Sequence, residues 1–294
     1  MEVITLLQSQ PVSFIITALI LGLLVGSFLN VVIYRLPIMM NKDWQQQCQE
    51  LLHPEAASTE QDKKTETFNL NTPRSRCPKC NHKITALENI PIFSYLFLKG
   101  KCSSCAEPIS PRYALIELFT GILTAIVAWH FGFSWQAGAA MLLTWALIAM
   151  SFIDIDHQLL PDNITLPWLW LGLLLSLFPI FVDSHTSIIG AVAGYLSLWG
   201  IFWLFKLLTG KEGMGYGDFK LLALLGAWMG WQLLPVVVLL SSIVGAVIGI
   251  AMIIILGRDR NIPIPFGPYL AAAGWIALLW GHDITDAYLT YSGL

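Results

Sequence analysis

The sequence predicts an all-α polytopic membrane protein of about eight transmembrane helices, with a small zinc-binding cytoplasmic domain between the first two. Three observations carry that expectation. Hydrophobic residues make up 56% of the 294 residues and charged residues only 12%, and the mean hydropathy is +0.66, far from the balance of a soluble domain. Long apolar runs recur along the chain, each sufficient for a membrane span. Most of the basic residues, and every cysteine, fall in a single polar segment. The net charge of −3 says nothing about partners, because placement is what matters; nothing points to nucleic acid.

The apolar runs suggest spans at roughly 12 to 34, 113 to 131, 134 to 153, 163 to 181, 187 to 206, 219 to 233, 235 to 257 and 267 to 282. Residues 35 to 112 hold 11 of the 16 basic residues, so they form the soluble part. The remaining basic residues are Lys206, Lys211, Lys220, Arg258 and Arg260, and alternating spans place all of them on the same side as that segment. The positive-inside rule makes this side cytoplasmic and turns both termini outward. The first apolar run is long, has no basic region before it and lacks a small-residue cleavage site, so it is expected to stay as a span. No internal repeat stands out, and the polar tract 41 to 72 suits a loose loop or short surface helices. The expected division is a first transmembrane helix over 1–34, a cytoplasmic zinc-binding domain over 35–112 and a transmembrane core over 113–294.

The polar segment holds Cys77-Pro78-Lys79-Cys80 and Cys102-Ser103-Ser104-Cys105, two C-x-x-C knuckles separated by 21 residues. Four thiolates in this spacing suit tetrahedral zinc. Disulfides are disfavoured on a reducing side, and a thioredoxin-like redox pair needs a strand-helix context that is missing. Four sulfurs leave no open position for substrate, so the metal is expected to be structural. Cys48 reads as a bystander. Arg74, Arg76 and Lys79 read as a solvated basic face.

Two acidic segments interrupt the apolar C-terminal half: Phe152-Ile153-Asp154-Ile155-Asp156-His157 and Gly213-Met214-Gly215-Tyr216-Gly217-Asp218. An ionised carboxylate at the edge of a span is expensive, which suggests function. Two such groups from separate segments can meet in a bundle and share a proton. Asp154 and His157 share a helix face, whereas Asp156 points elsewhere; a metal site of Asp154, Asp156 and His157 is the weaker reading. Asp162 reads as a helix cap after Pro161, and Asp218 can be read the same way. The glycines before Asp218 leave the backbone free for positive φ or close approach. Asn30 reads as an interhelical hydrogen bond, and the 12 Trp residues as an interfacial belt and lipid-facing packing.

Gly26-Ser27-Phe28-Leu29-Asn30-Val31-Val32-Ile33-Tyr34-Arg35-Leu36-Pro37, the four cysteines, the Asp154 and Asp218 segments and Pro265-Phe266-Gly267-Pro268-Tyr269 together resemble the type IV prepilin peptidases, bifunctional leader peptidases and N-methyltransferases of bacterial inner membranes. The resemblance runs nearly end to end. It implies an aspartic protease of the G-x-G-D type with Asp154 and Asp218 as the two essential carboxylates. It implies prepilin and type II pseudopilin substrates, cut after a Gly at the end of a basic leader and before a residue that is usually Phe. It also implies methylation of the new amine with S-adenosylmethionine. No glycine-rich nucleotide loop is visible in 35 to 112, so the donor site is implied by the family alone, with Gly100 in Lys99-Gly100-Lys101 as a contact or simply a tight turn. A transporter with a zinc-stabilised domain is the rival reading, but it would more often show matching halves and midplane sites; a zinc-held structural scaffold is another.

Overall fold

The computed structural model describes residues 2–52, 68–85, 87–257, 259 and 264–293. Arg258 and Arg260, and residues 53–67 of the polar tract, lie outside them. Among the described residues the chain is helical, with two isolated bridges, Arg76 with Lys83 and Lys101 with Pro108, and no strand. The helices are α1 (Glu2–Ser9), α2 (Pro11–Leu52), α3 (Phe93–Phe97), α4 (Pro111–Phe131), α5 (Trp135–His157), α6 (Asp162–Leu175), α7 (Ser184–Thr209), α8 (Tyr216–Met229), α9 (Leu234–Leu256) and α10 (Gly267–Ser292).

Every expected apolar run coincides with a helix, and five of them, α2, α4, α5, α7 and α9, are long and apolar enough to cross a membrane. The helices α6 and α8 have 14 residues each, about 21 Å, short of a hydrocarbon core about 30 Å thick. The helix α10 is long but falls outside the apolar set, and its backbone breaks from helical geometry at Trp280. The helix α2, which holds the first apolar run, extends well past residue 34. It continues through Pro37, whose missing N–H forfeits one backbone bond, into a stretch of good helix formers with a Gln46 to Glu50 side-chain bond of 2.8 Å. Residues 41–52 are therefore the end of α2 and not a loose loop.

The chain divides into two compact units, Val12–Ile126 and Met1–Pro11 with Val127–Leu294. In the first, α2 meets α4 through small residues: a Cβ on Gly22 would lie 2.5 Å from Thr124 Oγ1, and one on Gly26 would lie 2.8 Å from Glu117 Cα. Asn30 Nδ2 donates to the Tyr113 carbonyl at 3.1 Å, the interhelical role expected of it. Buried Arg35 donates to the carbonyls of Asn69 (2.9 Å) and Pro73 (2.6 Å) and lies over the Phe68 ring, tying the polar segment to α2.

In the second unit α8 is central. It is packed by α6, α7, α9 and α10, and Asp218, Phe219 and every residue from Leu221 to Met229 are buried. Enclosure on all sides explains how a helix too short to span can hold the middle of an apolar bundle. Trp228 is 1% exposed and its indole donates to the Trp168 carbonyl at 2.8 Å, so it belongs to the core and departs from the expected lipid-facing belt. The α7–α8 contact is the tightest: a Cβ on Gly190 would stand 2.2 Å from the Gly226 carbonyl oxygen, and one on Gly194 would stand 2.5 Å from that of Leu222. Backbone meets backbone there, leaving no flexible side chain to give way. Gly190→Ala should force α7 off α8 at a cost of about 1–3 kcal/mol or more, read as a lowered unfolding midpoint in detergent; Gly200→Ala on the same helix, where nothing lies within 4 Å, should not lower it.

Candidate functional site

Asp154 sits on the last turn of α5, which continues helically to His157 and ends on Gln158 in the left-handed region at φ 52°. Residue spacing decides what this turn buries. Ile153 and Asp154 face inward, whereas Asp156 and His157 are exposed, so the inward face carries Asp154 without His157. Among the described residues the four cysteines are the only metal-ligand cluster, and Asp154, Asp156 and His157 do not form one.

Asp218 occupies the first turn of α8, two residues after Tyr216. Both Asp154 and Asp218 are 6% exposed. Each carboxylate meets a backbone amide at a helix start. Gly267 N–H, at the beginning of α10, donates to Asp154 Oδ2 at 3.0 Å, and Asp218 faces the amide of Gly215 just before α8. Unsatisfied amides and the positive end of the helix dipole both favour negative charge at such places. Pro268 follows Gly267 and has no N–H to offer, which leaves the Gly267 amide to Asp154.

The two carboxylates are brought to one place. Asp154 and Asp218 lie within electrostatic reach of each other, and the Leu160 side chain touches both neighbourhoods. A Cβ on Gly217 would lie 2.8 Å from Leu160 Cβ; one on Gly267 would lie 2.6 Å from Asp154 Oδ2 and 3.1 Å from Leu160 Cδ2. Gly217, and Gly213 against the Phe205 ring, thus serve close approach, whereas Gly215 has room for a Cβ; none of the three has positive φ. Gly267 is legible only as part of a family pattern; its own signal is a glycine in the run Pro265-Phe266-Gly267-Pro268 at the start of a span.

Asp162 is not a cap. The residue before α6 is Pro161, without a side-chain cap bond, and Asp162 lies in the first helical turn. Its two carboxylate oxygens each accept from Lys220 Nζ at 2.7 Å, joining the start of α6 to the start of α8 two residues after Asp218. Sequence reasoning missed this pair because its members are 58 residues apart.

In the first unit the cysteines form a second centre. All four sulfurs lie within 4.8 Å of one another, with Cys77 to Cys105 at 3.8 Å and Cys80 to Cys102 at 3.9 Å. Those separations match the edge of a tetrahedron with metal–sulfur bonds of about 2.3 Å, so the donor set fits one four-thiolate metal ion. Backbone amides of Cys80 and Lys79 aimed at Cys77 hold its thiol down at about 6, which prepares it as a thiolate ligand.

The two knuckles are copies of one another, a repeat the sequence hid. Cys77 N–H bonds to the His82 carbonyl and Cys102 N–H to that of Glu107; Asn81 N–H bonds to Cys77 and Ala106 N–H to Cys102; Ile84 N–H bonds to Ser75 and Ile109 N–H to Gly100. Asn81 and Ala106 both sit near φ 56°. Between these ten-residue loops, 75–84 and 100–109, only the cysteines and a final Ile coincide, too little for similarity to register. Glu88 ties the copies together. Its carboxylate accepts from Ser103 and from the Thr85 amide and faces His82 Nε2 at 3.2 Å, and the Ser103 hydroxyl and Thr85 hold it down at about 2. Lys79 pairs with Glu107 across the same gap.

Gly100 is buried at φ 67°, and a Cβ there would lie 2.9 Å from the Tyr95 ring. Its amide bonds to Tyr95 and its carbonyl to Ile109, which makes it the entry turn of the second knuckle. Glu117 is a further polar group that the sequence motifs do not single out. It is buried on α4 and accepts from the Ile92 amide at 2.9 Å. Its signal was an acidic residue inside an apolar run.

Comparison with known proteins covers both halves of the chain. Residues 20–131 match the bacterial peptidase A24 N-terminal domain, and residues 141–250 match the type IV leader peptidase family. The chain is 59% identical over 294 residues to a prepilin leader peptidase/N-methyltransferase of Stutzerimonas stutzeri, covering all of both chains. It is 57% identical over 293 residues to one of Pseudomonas aeruginosa, covering 100% of this chain and 99% of the other, and 57% identical over 269 residues to one of Aeromonas hydrophila, covering 92% and 91%. No solved structure matches. With matches that span both units and relatives aligned end to end, the chain belongs to the type IV leader peptidase family.

Proposed function

We propose that the chain removes the basic leader peptide from type IV prepilins and related pseudopilins and then N-methylates the exposed amine, with Asp154 and Asp218 as its catalytic carboxylates. The observation that carries the peptidase reading is the meeting of two buried carboxylates from separate segments, each set against a backbone amide at a helix start.

Such a pair activates water. One carboxylate takes a proton from water while the oxygen adds to the scissile carbonyl carbon; the other, protonated, donates to the carbonyl oxygen. Collapse of the tetrahedral adduct breaks the C–N bond: the proton held by the first carboxylate passes to the departing nitrogen, which becomes the mature N-terminus, while a hydroxyl of the adduct returns its proton to the second carboxylate as the C=O re-forms. The Gly267 amide keeps Asp154 oriented through this cycle without consuming a proton.

The charge pattern supports an orientation in which residues 35–112 and the acidic ends of α5 and α8 face the cytoplasm of a bacterial inner membrane. A prepilin puts a basic leader on that side and an apolar helix in the lipid, so its scissile bond falls at the interface where such carboxylates would lie. The proposed division is a first membrane span within 1–34, a zinc-binding domain over 35–112 that starts on the polar end of α2, and a peptidase core over 113–294. Zinc is the assigned metal because four thiolates in paired knuckles favour it in a tetrahedral site. The methyl donor is S-adenosylmethionine, and methyl transfer is assigned to the segment before α4. Gly100 contributes there by fixing the turn that presents Lys99 and Lys101; with the Tyr95 ring over it, it offers a donor no open cradle.

Asp154→Asn and Asp218→Asn should each lower leader cleavage by roughly 10²–10⁴-fold in a gel-shift assay of a model prepilin, with folding and insertion intact; Asp156→Asn should be mild, and normal processing by either dyad variant would sink the assignment. Gly267→Ala places a methyl 2.6 Å from Asp154 Oδ2, so the carboxylate must move; a loss on the order of 10²-fold in kcat is expected, with metal content unchanged. Purified protein should hold one zinc per chain, and Cys102→Ser should release it and make residues 68–110 protease-sensitive while altering leader cleavage less. Metal analysis finding no zinc in active protein would refute that site.

A further inference from the structure

The segment from Leu87 to Phe97 exposes five large apolar side chains: Leu87 is 77% exposed, Ile90 43%, Phe93 58%, Leu96 65% and Phe97 84%. A run of this kind on a small polar domain is a contact surface. What it contacts is fixed by how it is anchored. The Ile92 amide, directly before α3, donates to Glu117 Oε2 at 2.9 Å. Glu117 lies six residues beyond Pro111 on α4, about 9 Å along the helix, and packs under Gly26 of α2, where a Cβ would touch Glu117 Cα at 2.8 Å.

Residues 26 and 117 both belong to apolar runs of membrane-crossing helices. The base of α3 is therefore held at the depth of the spans, not above them, and its unpartnered face looks out where lipid begins. Basic residues flank the surface. Lys99 and Lys101 are exposed immediately after α3, and Arg112 opens α4, an arrangement that suits anionic headgroups beside an apolar insertion.

From this anchoring we infer that Leu87–Phe97 is an interfacial wedge, which sinks Phe93, Leu96 and Phe97 into the headgroup and upper acyl region of an anionic bilayer beside α2 and α4. Ser94 Oγ donates to the Glu88 carbonyl and the Glu88 carboxylate holds both cysteine knuckles, so the wedge seats the whole metal centre on the membrane surface. The inference rests on the membrane-spanning helices and not on the peptidase reading.

The test uses full-length, metal-loaded protein in nanodiscs of phosphatidylethanolamine and phosphatidylglycerol, with the photoreactive residue p-benzoylphenylalanine placed at Phe97 or, as control, at Ser104 on the second knuckle. Irradiation should give lipid adducts at position 97, seen by mass spectrometry, and none at 104. Absence of lipid adducts at 97, or equal yields at both positions, would overturn the wedge. Exchange of the lipid adducts for pilin adducts when prepilin is added would also overturn it, by assigning the surface to the apolar segment of the substrate. Lys99→Glu with Lys101→Glu should reduce the adducts at 97 in the anionic nanodiscs and leave the yield in nanodiscs of phosphatidylcholine unchanged; equal yields from this variant and the parent in anionic discs would overturn the headgroup part.

Discussion

A carboxylate buried at the edge of an apolar bundle costs several kcal/mol unless a donor meets it, and the second unit is organised around meeting that need twice. The bond from the Gly267 amide to Asp154 Oδ2 requires the start of α10 to touch the last turn of α5, with no side chain between. Asp218 requires α8 to begin at the same level. Once these helix starts are fixed, the short α8 must run into the bundle, and the surrounding helices close over it. Leu160 packs against Gly217 and Gly267, the glycines beside the two carboxylates.

Small residues make the closure possible. Gly190 and Gly226 put α7 and α8 in backbone contact, and Gly172 accepts the edge of Trp228 from α8. In lipid no hydrophobic force draws one helix to another, so such approach supplies the packing that holds a bundle together. The Asp162–Lys220 pair adds an electrostatic tie at the same end as the dyad; half-exposed as it is, its worth is modest, and its role is to register α6 against α8.

The first unit solves a different problem. Its soluble segment has little apolar core, and stability is drawn from a tetrahedral sulfur cluster, the Glu88 bonds that join two copied loops, and Arg35 and Glu117, which fasten the segment to α2 and α4. Arg35 and Glu117 are buried ionisable groups whose partners are largely backbone groups. That satisfies them at a fixed geometry, whereas a side-chain partner could swing away.

Hydropathy alone determined the all-helical membrane class and the eight apolar segments, because a span must be long and apolar whatever packs on it. Cysteine spacing determined the sulfur cluster, since each C-x-x-C turn brings its own two thiols together locally. The cost of charge in an apolar run marked Asp154 and Asp218. The lengths of α2 and α8, the ion pair of Asp162, the core position of Trp228 and the Gly267 donor were decided only by tertiary structure. Each depends on which distant segment arrives alongside. Asp162 is a plausible cap until Lys220, 58 residues away, offers it a charge, and Trp228 is a plausible belt residue until α6 presents a carbonyl to its indole. Local chemistry fixes what a residue can do; the partner that the fold delivers fixes which of those things it does.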